Sequence, residues 1–202
     1  ITIGVSQPSG ECCARSYFSP INPPINGLED FIYFSRLEQF WELGLDWGML
    51  VGTSQLVGEN KTGIGNLSLL TGGDVMIRYR PMNSSNRRSV QLQLEWTHRS
   101  RQVPQDVLVD QGGYAELVVK WSPQWDQGVR HEVITGVAGD PQDLDWAETR
   151  QRTSAQISWF PSHFSRLRWQ VGYDQMPWRS AAVWSAIMGF EVIVGAHGAH
   201  GY

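Results

Sequence analysis

Lysine is almost missing from this 202-residue chain, with Lys61 and Lys120 its only two. Soluble sheets commonly set Lys on edge strands to block pairing with other chains, so the scarcity argues against an ordinary water-exposed sheet. Charged residues of all kinds make up 18% of the chain, below the roughly 25% of soluble domains. With 16 basic against 20 acidic side chains the net charge is −4, and no basic run occurs. A nucleic-acid footprint is thereby excluded. Uninterrupted apolar stretches are short, far from the ~20 residues of a membrane helix, so a transmembrane helix is excluded too. The chain opens on Ile1-Thr2-Ile3-Gly4 without Met, a basic segment or an apolar one. No targeting signal is visible, and the expectation is a signal already removed or a start partway into a longer protein. Cysteine is confined to adjacent Cys12 and Cys13. These cannot staple distant segments and are expected to be surface thiols, free or bonded to each other.

What the chain does have is Trp, at 10, and Gly, at 21, together with a period of two. Trp41, Leu43, Leu45, Trp47, Met49 and Val51 alternate with polar residues or Gly. Similar alternation runs through Val75–Tyr79, Val90–Trp96, Ala115–Trp121, Val129–Val137, Ala155–Trp159, Leu167–Tyr173 and Trp184–Val194. Phe31 to Phe40 adds a strand with aromatics on both faces, and Ile1 to Val5 a strand stub. No segment fits a 3.6 period better. The expected fold is therefore all-β and antiparallel, with about ten strands.

Connections alternate in length. Short turns are expected at residues 80–87, 122–127 and 160–164, and longer polar loops at Gln7–Asp30, Gly52–Leu69, Arg99–Gln111 and Gly139–Glu148. Long loops at one rim and short turns at the other are the pattern of a transmembrane β-barrel. Trp41, Trp47, Trp96, Trp121, Trp159, Trp169 and Trp184 fall on the apolar face, mostly near strand ends, as aromatic girdles at two lipid interfaces would. A secreted β-sandwich or a soluble ligand-holding barrel is the alternative, because soluble antiparallel sheets also alternate.

The tail, Trp184 to Gly195 followed by Ala196-His197-Gly198-Ala199-His200-Gly201-Tyr202, resembles the C-terminus of a family of Gram-negative outer-membrane β-barrel proteins. Members end in a strand plus a Gly-Ala-His-Gly-Ala-His-x-aromatic tail and are often labelled zinc-regulated TonB-dependent outer-membrane receptors. The stretch Trp159-Phe160-Pro161-Ser162-His163-Phe164-Ser165-Arg166-Leu167-Arg168 is similar to that family's penultimate periplasmic turn. Gly112-Gly113-Tyr114, Phe40-Trp41-Glu42-Leu43 and Gly72-Gly73-Asp74-Val75 to Arg80-Pro81 also fit. The likeness covers roughly Glu29 to Tyr202; the residues before Glu29, Cys12 and Cys13 included, fall outside it. It implies the C-terminal portion of a larger barrel, with long loops extracellular and the C-terminus periplasmic. Residues 1–30 would be a strand stub and a long extracellular loop, 31–195 the transmembrane strands and 196–202 a periplasmic tail.

Such a barrel presents its polar face inward. The candidate pore-lining residues are Asp74, Arg78, Arg80, Glu95, Glu116, Lys120, Arg130, Glu132, Arg166 and Arg168, with Glu191 beside them. Interleaved charges of both signs fit either an interior filled by salt bridges and water or a weakly selective pore in which Arg78, Arg130 and Arg168 favour anions. His197 and His200 could chelate zinc weakly, two ligands being short of a usual set; a folding signal is the plainer account of the tail, and no cofactor is expected. Rim residues His98, Ser100, Asp140, Asp143 and Asp145 offer raw material for hydrolysis, but no G-x-S-x-G motif occurs and no enzymatic role is expected. The expected function is passage or receptor-type uptake of a small solute through the outer membrane. The alternatives are a non-conducting barrel that anchors a protein partner on its extracellular loops and, third, a soluble binding barrel.

Overall fold

The structure, a computed structural model, describes residues 1–6, 27–60, 62–63, 65–82, 88–138, 140 and 147–193. Ten strands follow one another: β1 (Thr2–Ser6), β2 (Ile32–Glu42), β3 (Trp47–Glu59), β4 (Leu67–Tyr79), β5 (Ser89–Val103), β6 (Asp106–Ser122), β7 (Trp125–Ile134), β8 (Arg150–Ser162), β9 (Ser165–Gln175) and β10 (Val183–Val192). They form one antiparallel sheet in sequence order, each strand bonded to its chain neighbours. A single 3-10 turn at Leu28–Asp30 is the only helical element among the described residues. No pairing joins β1 to β10 among them.

Three expected boundaries are corrected. The alternating run from Trp41 to Val51 is not one strand, because β2 ends at Glu42 and β3 begins at Trp47. Leu43 and Leu45 keep the parity across the turn, yet both are exposed there. The loop expected over Gly52–Leu69 shrinks to residues 60–66, since β3 runs on to Glu59 and β4 starts at Leu67. The loop expected over Arg99–Gln111 is a two-residue hairpin: β5 continues to Val103, and Pro104 precedes Gln105 at φ 72°. Proline's fixed φ ahead of a left-handed residue closes the turn, at a cost in strain for a residue other than Gly. Loop lengths therefore segregate less regularly than expected, for β4 and β5 are joined by residues 80–88 at the otherwise short-turn end.

Directly opposed residues share a face, and the register sorts the side chains into two sets. One face carries Met49, Ile77 and Leu92 in one row, and Ile157, Trp169 and Met188 in another. The other carries Gly52, Asp74, Glu95 and Tyr114, then Glu116, Arg130 and Ser154. Every strand residue that the fold buries stands on the second, polar face: Gly52, Gly58, Ser68, Leu70, Arg101, Leu108, Gly128, Ser154, Ser158, Gly172 and Asp174. On the apolar face Val171, Met188 and Phe190 are 51%, 71% and 70% exposed. A water-soluble domain buries its apolar side chains; this sheet does the reverse. The polar face carries apolar strips across β2 to β4, where Phe40, Leu50 and Met76 oppose one another in turn and Phe34, Leu56 and Leu70 do the same.

Candidate functional site

The polar face is a network of charge pairs built across strands. Arg36 on β2 donates to Asp74 on β4 at 3.0 Å and to Glu38 at 2.7 Å, passing over β3. Gly52 of β3 makes this crossing possible, because a Cβ there would stand 2.6 Å from Asp74 Oδ1 and 2.7 Å from Arg36 Nη2. Glu95 accepts from the Tyr114 hydroxyl at 2.9 Å, and that oxygen accepts from Gln93 at 2.7 Å. Arg130 lies 3.6 Å from the centre of the Tyr114 ring and pairs with Glu132 at 2.7 Å and Glu116 at 3.7 Å. Cation–π contact and two carboxylates thus hold this guanidinium in place. Arg166 pairs with Glu191 at 2.5 Å, and Lys120 stands 5.3 Å from the centre of the Phe160 ring.

At the end where β5 meets β6 and β7 meets β8, the pairs are Arg–Asp. Arg99 bonds Asp110, Arg150 bonds Asp174, and Arg101 bonds Asp140 from the β7–β8 connection. Buried Asn60 donates to the Gln102 carbonyl at 2.7 Å, and the Leu67 amide donates to the Gln102 side chain at 2.8 Å. These bonds tie the β3–β4 turn to β5.

A recess opens between β6 and β9. Its volume is about 270 Å³, and Glu116, Arg130, Glu132, Arg152, Gln156 and Arg168 line it. Gly128 and Ser154 are its smallest lining residues. The Arg152 guanidinium leans over Gly172, 3.1 Å from where a Cβ would sit.

Of the residues expected to line a pore, Asp74, Arg78, Glu95, Glu116, Lys120, Arg130, Glu132, Arg166 and Arg168 all take the polar-face register, with Glu191. Arg80 lies past the end of β4, where its amide donates to the Asp46 carbonyl. Sequence reasoning left out Arg36, Arg99, Arg101, Arg150, Arg152 and Asp174. The seven expected girdle tryptophans share the apolar face. Trp41, Trp47, Trp121 and Trp159 stand near the turns, Trp184 stands at the opposite end, and Trp96 and Trp169 lie mid-strand. Trp125, read as part of a turn, joins the first group by stacking on Trp159 with ring centres 6.1 Å apart. Trp47 meets Tyr79 at 4.7 Å, and at the other end Tyr173 meets Trp184 at 4.9 Å. Cross-strand aromatic pairs of this kind contribute roughly 0.2–1 kcal/mol each. In the middle of the apolar face, His131 and Thr153 hydrogen-bond each other at 2.9 Å.

His98 and Ser100 take the apolar-face register, whereas Asp140 bonds Arg101 on the other side, so these three are not brought together. Cys12, Cys13, Asp143, Asp145, His197, His200 and the rest of the tail lie outside the described residues. Among the described residues no group of three or more His, Cys, Asp or Glu is placed to hold a metal ion. No family model, no curated protein and no solved structure matches this chain.

Proposed function

We propose that the chain is part of an outer-membrane β-barrel that carries a small solute along its polar face, long loops outward and C-terminus in the periplasm. One observation carries this: buried strand residues lie on the polar face, while the tryptophan-rich face is exposed. An exposed apolar sheet face of this size is a liability in water and is at home in lipid, with aromatic pairs near both ends as interfacial anchors. Lipid tolerates no open backbone edge, so β1 and β10 would each pair with further strands or with one another. The resemblance to the barrel family with the Gly-Ala-His tail points the same way.

The test is single-channel recording from the full-length protein in a planar bilayer over a salt series. Stable steps that scale with salt support passage. Absence of steps from inserted, folded protein supports the second reading, a structural barrel that anchors a partner. The buried Arg101–Asp140 pair favours that second reading, since it ties Asp140 of the β7–β8 connection to the polar face.

A further inference from the structure

We propose that the recess between β6 and β9 is a binding subsite for a small oxyanion, a carboxylate or phosphate group borne by a solute. The proposal rests on the solute-passage reading only for the route by which the anion arrives.

Charge matching makes the case. Three guanidiniums and two carboxylates line the recess. Both carboxylates, Glu116 and Glu132, already face Arg130. The carboxylate opposite Arg152 on β9 is Asp174, and Arg150 holds it in a two-point bond. Neither Arg152 nor Arg168 is within ion-pair distance of any carboxylate among the described residues. Two forked donors therefore border one cavity without an ion pair of their own, since Glu132, which stands opposite Arg152 on β7, is held by Arg130. Guanidinium matches carboxylate and phosphate oxygens in two-point geometry. Gln156 and Gln170, opposed on β8 and β9 and both lining the recess, add amide donors for a neutral part of the solute. At about 270 Å³ the space falls just below the range for drug-sized ligands, which suits a solute of a few heavy atoms. Lipid phosphate is a poor occupant, because the recess opens on the face away from the exposed tryptophans.

The fold holds the site ready. Gly128 and Ser154 keep its lining small, and Arg152 reaches over Gly172 into space that a side chain there would contest. Arg130 is fixed against Tyr114 and contributes field rather than a free fork.

The experiment uses full-length protein in bilayers carrying chloride current, with inorganic phosphate and malonate titrated as blockers. In parallel, binding of both anions is measured by calorimetry in detergent, and heat-modifiable gel mobility confirms folding. Wild type is expected to show saturable block. The Arg152→Gln/Arg168→Gln variant should raise the half-blocking concentration tenfold or more. Glu132→Gln, which releases Arg130 toward the recess, should lower it severalfold, a gain that misfolding cannot mimic. A current whose half-blocking concentration is the same in all three proteins overturns the subsite and leaves passage standing. Calorimetric binding that follows the same order in a protein without current supports the subsite and overturns passage.

Discussion

Two groups of arginines on one face behave differently. At the end where β7 leaves for β8, Arg99, Arg101 and Arg150 each meet an aspartate. In the middle, Arg130 has two glutamates, while Arg152 and Arg168 have no ion pair among the described residues. The Arg101 and Asp140 side chains are 4% and 8% exposed, against 35% for Arg130 and 30% for Glu132. Matched, buried charge is architecture: removing one partner strands the other away from water. Half-exposed charge in excess contributes little to stability and stays available to a ligand. The difference separates residues that hold the sheet's rim from residues that the proposed subsite would use.

The largest effect should come at the rim. Asp140→Ala leaves Arg101 buried without its carboxylate and should cost about 3–5 kcal/mol, read as a lowered urea midpoint in lipid vesicles. An unchanged midpoint would erase the contrast between rim and middle. Next comes the contrast between faces. Val171→Arg, on the exposed apolar side, should cost ~2–4 kcal/mol in a bilayer, while the adjacent Gln170→Arg should stay within about 0.5 kcal/mol. Equal losses would contradict the assignment of faces. Gly52→Val should cost about 1–3 kcal/mol by forcing Arg36 and Asp74 apart, with Gly52→Ala milder in the same unfolding assay. Smallest is Glu132→Gln, a half-exposed pair in the middle, at about 0–1 kcal/mol; a loss as large as that of Asp140→Ala would place Glu132 with the rim.

Strand identity was legible wherever one face was apolar, because alternation is then forced by burial or by lipid. It failed where both faces share a polarity. At the far end of β5, His98, Ser100 and Gln102 stand on one side and Arg99 and Arg101 on the other, so the sequence there looks like a loop. Across residues 43–46 the opposite happened: a turn with apolar residues preserved the parity and hid a strand boundary. On the polar face, Asp74, Glu116, Arg130 and Arg168 could be read from alternation with apolar neighbours. Arg152 could not, sitting in Arg150-Gln151-Arg152 before the apolar pattern begins at Ala155. Arg36 was hidden by aromatics on both sides of β2. Which arginines are matched depends on register between strands, and no local pattern encodes that.

Central to this account is that the apolar face meets lipid and the polar face meets water. Spin labels placed singly at residues 168–173 of the full-length protein, with Cys12 and Cys13 replaced, would test it in vesicles through collision with oxygen and with a water-soluble nickel complex. The account predicts strict alternation: Trp169, Val171 and Tyr173 positions favour oxygen, and Arg168, Gln170 and Gly172 positions favour nickel or are shielded from both. Nickel access at 169, 171 and 173 equal to that of an exposed turn would contradict it.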